Sequence, residues 1–362
     1  MYGDARAQAI AAAASAAAGE TVAPVEEPVV TALDYDAFLA HRAVQRLSGE
    51  VVAGDRRVAW SLIEKRTEGP ELASPYLLDN GMRELSAYRS GLLADLPHAV
   101  RAPRLYGSHL DATGGITLWL EEVRHDGPRP LDAEAILAAA RGLGEMNGRW
   151  LARASDEPWL FTGWIDRHSQ PEAVAQGLAT LRREHPPIVA RLGDRLARAA
   201  MLVEQQGSLR SILESLPQTI CHHDAVGANV FRDGATTVLI DWESVGPGAV
   251  GADLASLLFS SVHRGDAQAG TVAGVTDAAV EAYASGIREH SSSIGADAVR
   301  LGFDASIGLR WKLAADVAAG MDSGTTPRRG SLPEESPAVA AQELILLFDM
   351  LLSSAGRALE RI

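Results

Sequence analysis

The chain reads as an α+β protein of two lobes, a smaller mixed α/β lobe followed by a larger, mostly helical one. Three observations predict this. Residues 44–65 and 116–123 alternate apolar with small or polar residues, as half-buried strands do. From residue 131 onward, apolar residues recur at helical spacing over most of the chain. Residues 219–244 interrupt those helices and read as one short hairpin, a strand ending at His222, a loop, and a strongly apolar strand at 237–240.

The elements follow in order. Residues 1–30 are alanine-rich low complexity, expected to be a mobile tail or a short helix. They do not resemble a secretory signal, because Asp4 precedes Arg6 and the apolar run is mostly alanine. A first helix is expected near residue 31, where Thr31 or Asp34 could cap a segment carrying Leu33, Phe38 and Leu39. Strands over 44–53 and 56–66 meet at a Gly54-Asp55 turn. A loop with Gly69, Pro70 and Pro75 then leads to a helix over 81–96 bearing Leu85, Tyr88, Leu92 and Leu93. After a turn at Gly114-Gly115, the strand Ile116 to Val123 closes the smaller lobe, assigned to residues 31–123.

The larger lobe, residues 124–362, opens with a helix after Pro130 whose apolar face holds Ile136, Leu137, Leu143 and Met146. The connector 157–168 clusters Trp159, Phe161 and Trp164, a pattern met more often in cores than in binding walls. A helical stretch over 171–216 breaks at His185-Pro186-Pro187. Further helices are expected from residue 251, where Asp253 could be the cap, and at 276–290, 297–321 and 337–358. The Pro/Gly-rich residues 322–337 read as a loop, and no internal repeat is evident.

Composition narrows the function. A formal charge of −14 argues against a nucleic-acid partner, which would demand a basic face, and suits a cationic small molecule slightly better than an anionic one. The single cysteine, Cys221, excludes an intramolecular disulfide, fits a reducing, cytoplasmic setting, and reads as a buried structural thiol. No run of about 18 apolar residues exists, so no membrane span is expected. Nothing in the sequence specifies an oligomeric state.

The chemistry sits in residues 221–244, CHHDAVGANVFRDGATTVLIDWES. His222, Asp224 and Asn229 have the spacing H-x-D-x-x-x-x-N, and Asp241 follows in I-D-W-E. Phosphoryl transfer needs a carboxylate to orient the attacking hydroxyl and oxygen ligands for Mg²⁺ on the phosphates, and this segment carries both. It resembles the signature of the aminoglycoside phosphotransferase and choline kinase family, relatives of the protein kinases. The resemblance covers about residues 31–360. It implies a bilobal protein-kinase-like fold with the nucleotide in the smaller lobe and the acceptor pocket in the larger. It also implies Asp224 as catalytic base, His222 as the brace of its loop, and Asn229 and Asp241 as Mg²⁺ ligands.

Such an enzyme needs a lysine on a strand of the smaller lobe and a glutamate on the next helix. The chain has only two lysines, Lys65 and Lys312, so a lysine retained on the strand at 56–66 is informative. Lys65 is therefore the expected phosphate contact, and Glu84, early in the following helix, its partner. Glu64 is the poorer rival, since neighbours on a strand point to opposite faces. By the resemblance, Glu121, Glu122 and Val123 form a hinge whose backbone meets the base of ATP or GTP.

Three departures stand out. No G-x-G-x-x-G precedes Lys65, His223 sits where many relatives carry glycine, and no A-P-E follows Asp241. The last favours a small acceptor over a protein. The implied reaction is Mg²⁺-dependent transfer from a nucleoside triphosphate to a small-molecule hydroxyl. The expected acceptor is an antibiotic with sugar hydroxyls (an aminoglycoside, a macrolide or a nucleoside), giving resistance. The alternative is a metabolic sugar, amino-alcohol or nucleoside kinase. A nucleotide-binding module without catalysis, and a metal site of His222, His223, Asp224 and His263, are the readings from other classes.

Overall fold

The structure, a computed structural model, describes residues 2–22, 26–33, 42–68, 82–124, 126–127, 130–151, 153, 157–168, 179, 182–183, 186–310 and 337–361. The chain forms two compact units, residues 1–95 with 102–124, and residues 96–101 with 125–362.

In the first unit, helix α1 (Tyr2–Ala18) precedes strands β1 (Val29–Ala32), β2 (Arg42–Ala53) and β3 (Arg56–Thr67). Helix α2 (Met82–Arg89) follows; strand β4 (Val100–Arg101) belongs to the second unit, and β5 (Leu105–Leu110) and β6 (Ile116–Glu121) return to the first. The five strands make one antiparallel sheet in the order β1-β2-β3-β6-β5. Ala53 pairs with Arg56, leaving a two-residue turn in which Gly54 takes φ 61°, the left-handed geometry that tight hairpins require.

Strand alternation divides the sheet into two buried faces. Leu47, Val51, Trp60, Leu62 and Trp119 face one way and pack with Ala9, Ile10, Ala13 and Ala14 of α1. Ile63, Ile116, Leu118 and Leu120 face the other way, packed with Leu85 and Tyr88 of α2. The N-terminal residues are thus an ordered helix rather than a mobile tail. Alanine is the best helix former, and its small side chain lets α1 lie close to the sheet: a methyl built on Gly107 would sit 3.2 Å from the Ala9 side chain.

Two further expectations change. Thr31, expected to cap a helix, lies in strand β1, paired with Arg46; residues 34–41 of that expected helix lie outside the described residues. The helix expected over 81–96 ends at Arg89, because Gly91 adopts φ 80° and only a 3₁₀ turn, Leu93–Asp95, follows.

The second unit opens with α3 (Ala133–Arg149), capped by the Asp132 carboxylate, which accepts from the Ala135 N–H at 2.9 Å. Helices α4 (Trp164–His168), α5 (Pro186–Leu192), α6 (Arg195–Glu204) and α7 (Gln206–Ser215) follow, then strands β7 (Gln218–Cys221), β8 (Val230–Asp233), β9 (Thr236–Leu239) and β10 (Gly246–Ala249). A helical run continues as α8 (Ala252–Ala255), a π turn (Ser256–Ser260) and α9 (Ser261–Arg264). Helices α10 (Ala269–Arg288), α11 (Ala296–Gly308) and α12 (Pro337–Leu359) complete it. The expected extension of α11 to residue 321 and the 322–337 loop fall largely outside the described residues. Helix α3 meets α10 so closely that a methyl on Gly144 would lie 2.0 Å from the Tyr283 carbonyl oxygen, so only glycine fits there.

Residues 219–244 do not form one hairpin. β7 pairs antiparallel with β10, whereas β8 and β9 form a hairpin that β4 extends in parallel. Pairing partners outside the segment decide this, since Pro247 and Gly248 face Ile220 and Thr219. No helix among the described residues is long and apolar enough to cross a membrane.

Candidate active site

In the first unit, Lys65 lies on β3 opposite Val44 and Leu118, on the α2 side of the sheet. Its Nζ donates to Glu84 Oε2 at 2.6 Å, and the two side chains are 11% and 1% exposed. At that burial each charge depends on the other, because either alone would be a desolvated ion. Glu64 points to the opposite face, where it accepts from Trp119 Nε1 at 2.7 Å and Arg6 Nε at 3.1 Å. At the end of β6 the Glu121 N–H donates to the Arg104 carbonyl at 2.8 Å, and Glu122 is paired with Arg46. Val123 follows β6 in irregular, half-buried chain.

In the second unit the structure brings His222, Asp224, Asn229 and Ile240-Asp241 together. The Asn229 amide nitrogen donates to Asp224 twice, to its backbone oxygen at 2.9 Å and to Oδ2 at 2.8 Å. Because both partners are acceptors, the NH₂ end of Asn229 must face them, which fixes the amide orientation and leaves Oδ1 pointing elsewhere. His222 accepts the Asp224 N–H on Nδ1 at 3.2 Å and directs Nε2 to the Ile240 carbonyl at 3.0 Å. One imidazole thus ties the loop to the residue before Asp241. The Ile240 N–H in turn donates to the Asn229 carbonyl at 3.1 Å. Gly227 and Ala228 N–H groups are taken by Ser261 Oγ and Asp266 Oδ2, so the loop backbone is satisfied from below.

Among the described residues, two other than glycine have positive φ, His223 at 62° and Asp241 at 65°. Both belong to this loop system, and such strain persists only where surrounding bonds over-determine it. At His223 those bonds are visible. Its N–H donates to Asp253 Oδ1 at 2.7 Å, its carbonyl accepts from Ser256 Oγ at 3.0 Å, and Nε2 donates to the Pro247 carbonyl at 3.0 Å. The ring stacks on Trp164 with centroids 4.8 Å apart. Burial pushes the His223 imidazole down to about 4, outweighing the opposing pull of the Asp253 carboxylate, so the ring is neutral near pH 7.

The sequence reading missed two residues that organise this region. Asp253, read as a helix cap, caps nothing; Gly251 holds that position. Its carboxylate instead accepts from the N–H groups of His222 (3.0 Å) and His223 and from Asn147 Nδ2 (3.2 Å). Asn147, fully buried on α3, also donates to the Ile220 carbonyl at 2.8 Å, and its own carbonyl accepts from Thr219 Oγ1 at 2.7 Å. The available signal was a polar residue beside Met146 on an otherwise apolar helix face. The aromatic connector is core, as Phe161 and Trp164 are buried. The sequence offers Glu243, Asp304, Asp316 and Asp322 as acids for an acceptor pocket; Asp304 is buried and held by Arg357 at 2.7 and 2.9 Å, Glu243 lies in the 3₁₀ turn after Asp241, and Asp316 and Asp322 lie outside the described residues.

The metal-site alternative loses its geometry. His222 meets Trp242 edge-on while His223 stacks on Trp164, and each ring has a carbonyl on Nε2. Cys221, His223 and Asp253 do cluster, with ligand atoms within 4.8 Å of one another. Yet Asp253 already accepts three hydrogen bonds, and the Cys221 thiol is directed at the Ala249 carbonyl at 3.8 Å.

Comparison with solved structures places this architecture among protein-kinase-like folds. A choline kinase from Cryptosporidium parvum matches with TM-score 0.54 at 11% identity, covering 93% of this chain and 92% of that one. An amicoumacin kinase solved with AMP-PNP and Ca²⁺ matches with TM-score 0.51 at 16% identity, covering 88% of each chain. An aminoglycoside phosphotransferase from Alicyclobacillus acidocaldarius gives TM-score 0.51 at 15% identity, covering 91% of this chain and 95% of that one. Identities this low establish the fold and not the substrate. No curated protein sequence matches the chain. Residues 73–288, which include Glu84, the His222 to Asn229 loop, Asp241 and Asp253, match the family model described as "Phosphotransferase enzyme family". The chain belongs to the phosphotransferase enzyme family.

Proposed function

We propose that the protein transfers the γ-phosphoryl group of a nucleoside triphosphate, ATP or GTP, to a hydroxyl of a small molecule. The observation that carries this reading is the doubly anchored Asn229 amide, which holds the Asp224 carboxylate in place and leaves its own amide oxygen facing away from Asp224. Asp224 accepts the proton of the acceptor hydroxyl as that oxygen bonds to the γ-phosphorus. The bond to the β,γ-bridging oxygen breaks, and the nucleoside diphosphate leaves. Lys65, steadied by Glu84, holds the phosphates, and the backbone of Glu121 to Val123 receives the base. His222 keeps Asp224 and Asp241 in fixed relation. Asn229 Oδ1 and the Asp241 carboxylate are hard oxygen donors of the kind Mg²⁺ prefers, so this donor set fits that ion. Neutralising charge on the phosphate oxygens is the chemistry a bound Mg²⁺ would supply. What the chain contributes is position and electrostatics.

The acceptor we infer is an antibiotic with sugar hydroxyls, such as an aminoglycoside, a macrolide or a nucleoside. An alanine-rich chain with two lysines suits a GC-rich bacterial genome, and a charge of −14 suits a cationic acceptor. An amicoumacin kinase and an aminoglycoside phosphotransferase use the same fold. A choline kinase does too, which keeps an amino-alcohol as the second reading. The test is a nucleotide-consumption screen over antibiotics, amino-alcohols, sugars and nucleosides, with mass detection of the product. A product 80 Da heavier from an antibiotic alone supports the first reading (the mass of one added phosphate, about 80 Da). Turnover confined to amino-alcohols or sugars replaces it.

A further inference from the structure

We propose that helix α1 is a working part of the nucleotide site, positioning Lys65 from behind the sheet through the Glu64 carboxylate. The inference rests on the phosphate-binding role given to Lys65 above and adds residues that no part of that role requires.

Glu64 is a carboxylate buried to 1% exposure on the sheet face that packs against α1. It is held by donors from three different elements. Gln45 of β2 and Trp119 of β6 are its register partners on either side, and both donate to it, Trp119 Nε1 at 2.7 Å. From α1, Arg6 Nε donates at 3.1 Å and the Tyr2 hydroxyl also hydrogen-bonds the carboxylate. Tyr2 further packs on Trp119, with ring centroids 5.7 Å apart. One carboxylate therefore joins three adjacent strands and the helix. Among the described residues, Arg6 is the cation bonded to it.

Lys65 is the next residue, on the next rung of the same three strands, between Val44 and Leu118. Consecutive strand residues point to opposite faces, so any rotation of β3 about its axis moves both side chains together. Removing Arg6 would leave a buried carboxylate without its counter-ion, the costly half of an ion pair. Where Glu64 stays ionised, the strand relieves this by turning Glu64 toward water, which re-aims Lys65 away from its partner Glu84. The other anchors of α1 are alanines, Ile10 and Tyr2, and Arg6 adds the charged contact with β3.

The test uses the full chain as wild type, Arg6→Ala, Arg6→Lys and Arg57→Ala. Arg57 serves as control because it lies on the same hairpin in an exposed pair with Glu50. Affinity for a non-hydrolysable ATP analogue with Mg²⁺ is measured by calorimetry, and hydrogen exchange is followed in residues 58–67. Arg6→Ala should weaken nucleotide binding roughly tenfold, within the range usual for coupled sites, and speed exchange in that segment. Arg6→Lys should restore most of both, and Arg57→Ala should change neither. A folded Arg6→Ala protein with wild-type affinity overturns the proposal. So does a lowered melting temperature with unchanged affinity and exchange, the pattern of a purely structural clamp. Should Arg6→Ala fail to fold, Tyr2→Phe removes a single donor and must show the same effects in smaller measure. If wild type binds no nucleotide, the reaction proposed above is what fails. Exchange then decides the lock by itself, and unchanged protection in Arg6→Ala refutes it.

Discussion

Replacing Asp253 with asparagine tests what holds the turn that presents Asp224. The carboxylate accepts three bonds, from His223 N–H at 2.7 Å, His222 N–H at 3.0 Å and Asn147 Nδ2 at 3.2 Å. An asparagine is nearly isosteric, but one of its two terminal atoms is an NH₂ that cannot accept. Placed at Oδ1, it faces the His223 N–H; placed at Oδ2, it faces the His222 N–H and the Asn147 amide. The milder choice leaves one buried backbone N–H without an acceptor, about 1–3 kcal/mol, and weakens two charge-assisted bonds to neutral ones, roughly 0.5–1 kcal/mol each. The sum, about 2–5 kcal/mol, corresponds to a melting temperature lower by about 5–15 °C in a unit of this size. The bonds lost are those that hold His223 at its strained φ of 62°, so the direction of Asp224 should relax as well. Scanning calorimetry and nucleotide turnover, run on the same preparation, should show both losses together. A variant melting within a degree of wild type with unchanged turnover would refute the reasoning. A cap role, as the sequence alone suggested, would predict a loss of about 1 kcal/mol and intact turnover.

Other outcomes follow from the same geometry. Asp224→Asn keeps the volume but removes the proposed proton acceptor, and should cut turnover on the order of a hundred- to ten-thousand-fold with nucleotide affinity in Mg²⁺ near wild type. Asp241→Asn should weaken Mg²⁺-dependent nucleotide binding too; calorimetry showing the reverse pattern would exchange the two roles. Lys65→Ala should impair nucleotide use strongly and Glu84→Gln in the same direction but less. Because their side chains meet at 2.6 Å, the double variant should be far from additive, and additive losses would contradict the pair. His223 contributes a pH dependence. Its folded value of about 4 lies below the unfolded 6.5, so the unfolded chain binds the extra proton between them. Stability is full above about pH 6.5 and falls by roughly 1.4 kcal/mol per unit as pH drops toward 4. His223→Gln, whose amide can still donate to the Pro247 carbonyl, should flatten that limb in denaturant titrations.

The residues proposed to carry the chemistry could be picked out because their signal is local. His222, Asp224 and Asn229 lie within eight positions, and the loop between two short strands leaves few ways to arrange them. Lys65 stood out because lysine is scarce here, and strand alternation was enough to assign Glu64 and Lys65 to opposite faces, where the structure has them. Helix α1 was not legible as a docked element, since alanine reads alike on buried and exposed faces and shows no amphipathic stripe. Nor was the part played by Asp253, Asn147 and Arg6. Each acts on a group far away in sequence, Asp253 on His222 and His223, Asn147 on Ile220, and Arg6 on Glu64. Strand pairing divides in the same way. The hairpin of β8 and β9 follows from its own turn at Gly234, whereas β7 pairs with a strand 25 or more residues on, in a choice made by burial. Local sequence places the candidate groups side by side; which buried carboxylate steadies them depends on surfaces that meet only once the chain has folded.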